Sequence, residues 1–180
     1  MSTTVLVGNP RPGSRTSTAA GAVARHAARA AGLPPHAEVV ELADLAPLLL
    51  SPGPTLDVRS ALDRVSGTDL LVVASPTRKA TYSGLLKVFL DLLPHRGLAG
   101  VTAVPVLLTA SPAHTLAVDA HLRPLLLELG ATVPAPGLAL LRDTVPEDPG
   151  HAHLLDPVLA PWADAAARGL RAAVRSGTTV

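Results

Sequence analysis

The segment Gly8 to Ser17, GNPRPGSRTS, gathers two guanidinium groups, Arg11 and Arg15, and three hydroxyls, Ser14, Thr16 and Ser17. It follows a short apolar run and precedes an alanine-rich one, so it reads as a strand-to-helix loop. The first turn of a helix presents N–H groups without intrahelical partners and a partial positive charge. Hydroxyls and guanidiniums added to such a turn make a cradle for an anion, phosphate above all. The plain alternative is a polar loop with N-capping serines. Gly8 and Gly13 have the spacing of a G-x-x-x-x-G-K-[ST] phosphate loop, but Ser14 stands where its lysine must be. That argues against an ATPase. The segment is not G-x-G-x-x-G either, so a pyrophosphate site of the Rossmann type is weakly supported. A single terminal phosphate fits better.

A second stretch, ASPTRKATYSGLLK (residues 74–87), holds both lysines of the chain, Lys79 and Lys87, and its only tyrosine, Tyr82. Pro76 fixes the backbone at its start. The loop from Thr77 to Ser83 can offer backbone N–H and C=O groups to a flat heterocycle, and Gly84 lets backbone come close. The plain readings are a half-buried packing tyrosine and two solvated lysines. His114 stands near the start of a later helical segment, where it could approach such a ring or serve as an ordinary polar helix position. No His/carboxylate spacing indicates a metal site. Ser14, Asp44 and His114 lack the G-x-S-x-G elbow of a hydrolase. No side chain is assigned as a catalytic acid or base.

The elements that must position these groups alternate along the chain. Apolar strand-like runs are expected at 3–8, 38–42, 70–74 and 102–108, with a last strand inside 131–141. Helices are expected at 17–31 with Gly32 as the stop, 56–65, 84–93 ending at Pro94, 115–129 ending at Gly130, and 155–175. Pro124 should kink or break the helix that contains it. Residues 144–153 are the expected mobile loop. Alternation of this kind implies a parallel sheet with helices on both faces and right-handed crossovers. A doubly wound five-stranded sheet of order 2-1-3-4-5 binds ligands beyond its strand ends, between strands 1 and 3. The loops after strands 1, 3 and 4 then converge, and both stretches above lie at the site.

Composition agrees with one folded α/β domain over residues 1–180. Hydrophobic residues make up 48% and charged residues 16%, so disorder is excluded. A net charge of +1 gives no reason to expect a nucleic-acid partner. The absence of cysteine excludes disulfides and thiol catalysis and fits a cytoplasmic location. MSTTVLVGNP has no basic, apolar leader pattern, and no apolar run approaches the ~20 residues of a membrane span.

The segment SPTRKATYSGLLKVFLDLLPHRGLAG resembles the P-x-Y-x-x-x-Y-S-G-x-L-K-x-x-L-D-L-L-P segment of the flavodoxin-like NAD(P)H-dependent FMN reductases. GNPRPGSRTS resembles their G-S-x-R-x-x-S-x-[ST]-S phosphate loop, and AHTLAVDAHLRPLLLELGA resembles their fourth-helix segment. Together the three cover roughly residues 3 to 130, and the pattern is most similar to flavin reductases that partner alkanesulfonate monooxygenases. The resemblance implies FMN as cofactor and NAD(P)H as co-substrate. It also implies hydride transfer to flavin, supply of reduced flavin to a monooxygenase, and a homodimer or homotetramer. A quinone or azo acceptor, or a repurposed member binding flavin weakly, are the alternatives.

By the same resemblance, Asn9, Arg11, Ser14, Arg15, Thr16 and Ser17 are phosphate-loop positions. Pro76, Thr77, Arg78, Tyr82, Ser83 and Gly84 are ring-loop positions. Thr109, Ala110, Ser111 and His114 belong to the loop after strand 4. The chain departs from the pattern at three places. Asn9 replaces a serine, Arg78 replaces an aromatic, and Leu108 to Pro112 lacks the family's Gly-Gly.

Overall fold

A computed structural model describes residues 1–177. Among the described residues five strands form one sheet: β1 (Thr3–Val7), β2 (Glu38–Glu41), β3 (Leu70–Pro76), β4 (Thr102–Thr109) and β5 (Leu138–Leu141). Their order is β2-β1-β3-β4-β5, and every neighbouring pair is parallel. This is the expected doubly wound arrangement. Every residue of β1, β3 and β4 is buried, because helices cover both faces.

Alternate strand residues feed two cores. Val5, Val72 and Val104 pack under α1 (Arg15–Ala31) and α6 (Asp156–Gly177). Leu6, Leu71 and Val73 pack on the other face. There they meet the single turn of α2 (Leu42–Leu45), then α3 (Leu56–Ser66), α4 (Gly84–Leu90) and α5 (Arg123–Glu128). Phe89, the single phenylalanine, is fully buried in this second core. With few aromatics the remaining volume is filled by Leu, Val and Ala.

Helix boundaries differ from the sequence expectation where local bonding decides them. α1 begins at Arg15 rather than Ser17, because Ser14 adopts extended backbone and its side chain accepts from the Ser17 N–H. It ends at Gly32, whose φ of 79° is the left-handed conformation a terminal glycine supplies. α4 ends at Leu90, three residues early. Leu92 and Leu93 make tight bonds to the carbonyls three residues back, ahead of Pro94.

The expected helix over 115–129 is divided. Residues Pro112–His114 form a 3₁₀ turn and Val118–Leu122 a π turn, and α5 covers only Arg123–Glu128. The Arg123 N–H reaches back to the Val118 carbonyl, five residues away. That wider turn places Pro124 in the first turn of α5, where its missing N–H costs nothing. The segment expected to be a mobile loop is also organised. It contains 3₁₀ turns at Arg142–Thr144 and Pro149–Leu155, and Val145, Ala152 and Leu155 are buried in the α1/α6 core. His26 Nε2 and Asp156 Oδ1, 2.9 Å apart, join the middle of α1 to the start of α6.

Candidate active site

At the carboxyl ends of β1, β3 and β4 lies a cavity of about 590 Å³. Pockets that take small ligands and cofactors have volumes of about 300–1,000 Å³. Of the residues singled out in the sequence, Asn9, Arg11, Ser14, Arg15, Thr16, Pro76, Thr77, Arg78 and Ala110 line it. Pro12, Gly13, Leu108, Arg142 and Glu147 join them.

The loop after β1 is braced by its own side chains. Asn9 is buried; its Oδ1 accepts from the Arg11 N–H at 3.0 Å, and its Nδ2 donates to Thr16 Oγ1 at 2.9 Å. The serine expected here is too short to reach both ends, so the departure at Asn9 adds a strut. Gly13 has φ 60°, which lets the chain turn sharply into α1. Gly8 is required for a different reason: a Cβ there would stand 2.7 Å from Leu86 Cβ. With Ser14 capping Ser17, the N–H groups of Arg15 and Thr16 are left without helical partners at the cavity.

Four arginines line the space, and they differ in their partners. Arg15 Nη2 is 3.0 Å from Glu147 Oε1, and its Nη1 is 3.8 Å from Asp143 Oδ1. Arg15 Nε is buried and meets no acceptor. Arg142 Nε donates to Asp143 at 2.9 Å, which holds the Asp143 carboxyl below its usual range. Arg11 and Arg78 are exposed, and neither guanidinium has a protein partner among the described residues.

The loop after β3 is anchored at one end and folded tightly at its tip. The Thr77 N–H and Oγ1 both donate to the Leu108 carbonyl, at 2.7 and 3.0 Å. Arg78 and Thr81 exchange backbone hydrogen bonds around Lys79 and Ala80. Those two residues have φ of 50° and 65°. Consecutive left-handed residues make a type I′-like turn, a conformation that Asn-Gly takes readily. For residues with a Cβ it costs roughly 1–2 kcal/mol each.

The other expected positions have different duties. Ser83 is buried; its Oγ donates to the Gly8 carbonyl and accepts the Leu86 N–H, so it caps α4 and ties the two loops together. Tyr82 is half-buried against the second core. Gly84 is exposed, with no protein atom near the position a Cβ would take. Thr109 is fully buried, its hydroxyl donating to the Ser111 carbonyl and accepting the Ser111 N–H. Ser111 caps the following 3₁₀ turn. Ser17, like His114, does not line the cavity. Of the two lysines, Lys87 pairs with Asp91 on the surface of α4, which raises the lysine above its ordinary value.

Glu147 and Arg142 were missed in the sequence. They come from the segment after β5, and no local pattern links that segment to the first loop. No group of three His, Asp or Glu side chains suited to a metal ion occurs among the described residues. No helix there is long and apolar enough to cross a membrane.

A five-stranded parallel sheet of this order, with a cationic cavity at its switch point, defines the flavodoxin-like class of ligand-binding α/β proteins. The chain belongs to the NADPH-dependent FMN reductase family, whose model matches residues 1–144. It is 43% identical over 74 residues to an FMN reductase (NADPH) of Escherichia coli, which is 41% of this chain and 39% of the relative. It is 41% identical over 69 residues to the NADH-dependent FMN reductase SfnF of Pseudomonas putida, 38% of this chain and 37% of the relative. The matches thus span about two fifths of these relatives. Over nearly the whole fold, the chain superposes on the apo form of NADH:FMN oxidoreductase (EMOB) with TM-score 0.79 and 29% identity. That superposition covers 95% of this chain and 88% of that one.

Proposed function

We propose that the protein is an NADPH-dependent FMN reductase. The observation that carries the reading is the orphaned Arg15 Nε beside two helix N–H groups and the unpaired Arg11, all at one cavity. A buried donor without an acceptor costs stability unless a ligand satisfies it. A terminal phosphate supplies several acceptor oxygens, and the donor set at α1 fits it.

In this reading Arg11, Ser14, Arg15 and Thr16 hold the phosphate of FMN. Pro76, Thr77, Leu108 and Ala110, from the adjoining ends of β3 and β4, form the wall against which the flavin ring lies. Ala110 is small, so the absence of Gly-Gly leaves room for a ring beside β4. Bound FMN supplies hydride acceptance at its ring, and the chain contributes binding, orientation and shielding from water. No acid or base side chain is required at the cavity.

Two finer statements extend the proposal. Reduced flavin passes to a partner monooxygenase, as the resemblance of residues 3–130 implies. The protein also self-associates; the exposed Leu116, ahead of the π turn, and Leu127, on α5, are apolar side chains that a homo-oligomer would cover.

The test is direct. Protein mixed with FMN should quench flavin fluorescence, and NADPH should then be oxidised with free FMN as sole acceptor. Turnover that requires added quinone would redirect the reading to a quinone reductase. No flavin response at tens of micromolar FMN would overturn it.

A further inference from the structure

The charge around the cavity exceeds what one flavin mononucleotide needs. FMN carries a single phosphate, and the first turn of α1 with Arg11 is placed to take it. The oxidised flavin ring has no net charge. Arg15 and Arg142 already face Glu147 and Asp143. Arg78 remains, exposed at the cavity, with no ion-pair partner among the described residues. Lys79 follows it, is also exposed, and has no partner among the described residues. The two sit on a turn closed by paired Arg78–Thr81 backbone bonds and held in left-handed conformation at Lys79 and Ala80. A turn of that kind persists where its surroundings over-determine it, and such strain concentrates at ligand clamps. Arg78 also stands on a different loop from Arg11, after β3 rather than β1.

We propose that Arg78, with Lys79 beside it, is the anion subsite for the reducing dinucleotide. It engages phosphate groups that the flavin does not carry. Resting on the FMN reading above, the assignment gives Arg78 a duty that the aromatic expected at this position could not perform. A guanidinium binds phosphate through two parallel N–H donors, whereas an aromatic ring offers only its face. NADPH has two such groups, the pyrophosphate and the ribose 2′-phosphate, and NADH has only the first.

The experiment compares the wild type with Arg78→Ala and Arg78→Lys, each loaded with FMN. Binding of NADP⁺ and of NAD⁺ is measured by calorimetry, and KM for NADPH and NADH by turnover. Arg78→Ala should weaken NADP⁺ by about 10- to 100-fold, as loss of a charge-assisted phosphate contact does. FMN affinity should move far less, and Arg78→Lys should restore part of the loss. If NAD⁺ is unaffected, Arg78 reads the 2′-phosphate; if NAD⁺ weakens equally, it reads the pyrophosphate. Unchanged affinity for both dinucleotides overturns the proposal. So does an FMN loss as large as the dinucleotide loss, which would put Arg78 on the flavin. Melting curves of the variants show whether each is folded. If wild-type protein takes up no FMN, the FMN reading fails. The same NADP⁺ titrations on flavin-free protein then still decide whether Arg78 holds an anion.

Discussion

Arg15 Nη2 lies 3.0 Å from Glu147 Oε1, tying the first turn of α1 to the segment after β5 at the edge of the cavity. The carboxylate is 79% exposed, so the pair contributes little to stability. Its consequence is for binding. Among the described residues Glu147 is the only carboxylate lining the cavity, and a phosphate held there as proposed would compete with it for the same guanidinium.

Glu147→Gln should therefore tighten FMN by a few-fold, on the order of 0.5–1 kcal/mol, the worth of an exposed charge contact. Riboflavin, lacking the phosphate, should not change. Fluorescence titrations with both flavins check this. Weaker FMN binding would mean that Glu147 orients Arg15 for the ligand.

Arg11→Ala tests the same cradle from the opposite sign. The Arg11 guanidinium has no partner among the described residues, so its removal leaves no buried charge behind. Its loss should cost FMN about 1.5–3 kcal/mol, the range for a charged hydrogen bond. Equal losses for FMN and riboflavin would contradict a phosphate contact.

Much of this architecture was legible in the chain, and the reasons are physical. β1, β3 and β4 are apolar runs because both their faces are covered, and a fully buried strand leaves little ambiguity in sequence. The turn from β1 into α1 was legible because its cap Ser14 and its glycine Gly13 are neighbours. The division of the 115–129 helix was only partly so. Pro124 announced an interruption, but a kink and a π turn answer the same missing N–H, and the sequence does not choose between them. Ser83 carried a second kind of ambiguity. A serine before a helix can face a ligand or the protein, and here a carbonyl from β1's loop claims its hydroxyl. Glu147 had no local signal at all, since ion pairs between distant segments follow from the fold alone.

Ser83→Ala should destabilise the protein without removing any group that lines the cavity. It deletes an N-cap and leaves the buried Gly8 carbonyl without that donor. A cost of about 1–3 kcal/mol is expected, readable as a lowered midpoint in chemical denaturation. A midpoint within error of the wild type would show that the link between the loops is not a stabilising one.

Ala80→Gly addresses the strained tip. Alanine at φ 65° forgoes the relief a glycine would have there. The substitution should raise stability by up to about 1 kcal/mol, or roughly 2–4 °C in Tm for a chain of this size. Glycine also frees the unfolded chain, which subtracts from the gain. A fall in Tm as large as that of a glycine placed at an ordinary negative-φ alanine would mean that the turn is not left-handed at residue 80 in solution.

Asp156 supplies the pH dependence. The hydrogen bond from His26 holds its carboxyl below the ordinary value of 3.8, so its folded-state pKa is depressed. A depressed acid stabilises the fold at pH above its unfolded value and loses that contribution as pH falls through the folded one. Asp156→Asn should thus lower Tm at neutral pH, and the gap to the wild type should close as pH falls below about 3.8. The contact joins α1 to α6, so the melt it alters is that of the whole α1/α6 layer. Thermal melts across acid pH read the outcome directly. A gap that persists unchanged into acid would mean that Asp156 contributes through packing rather than through its charge.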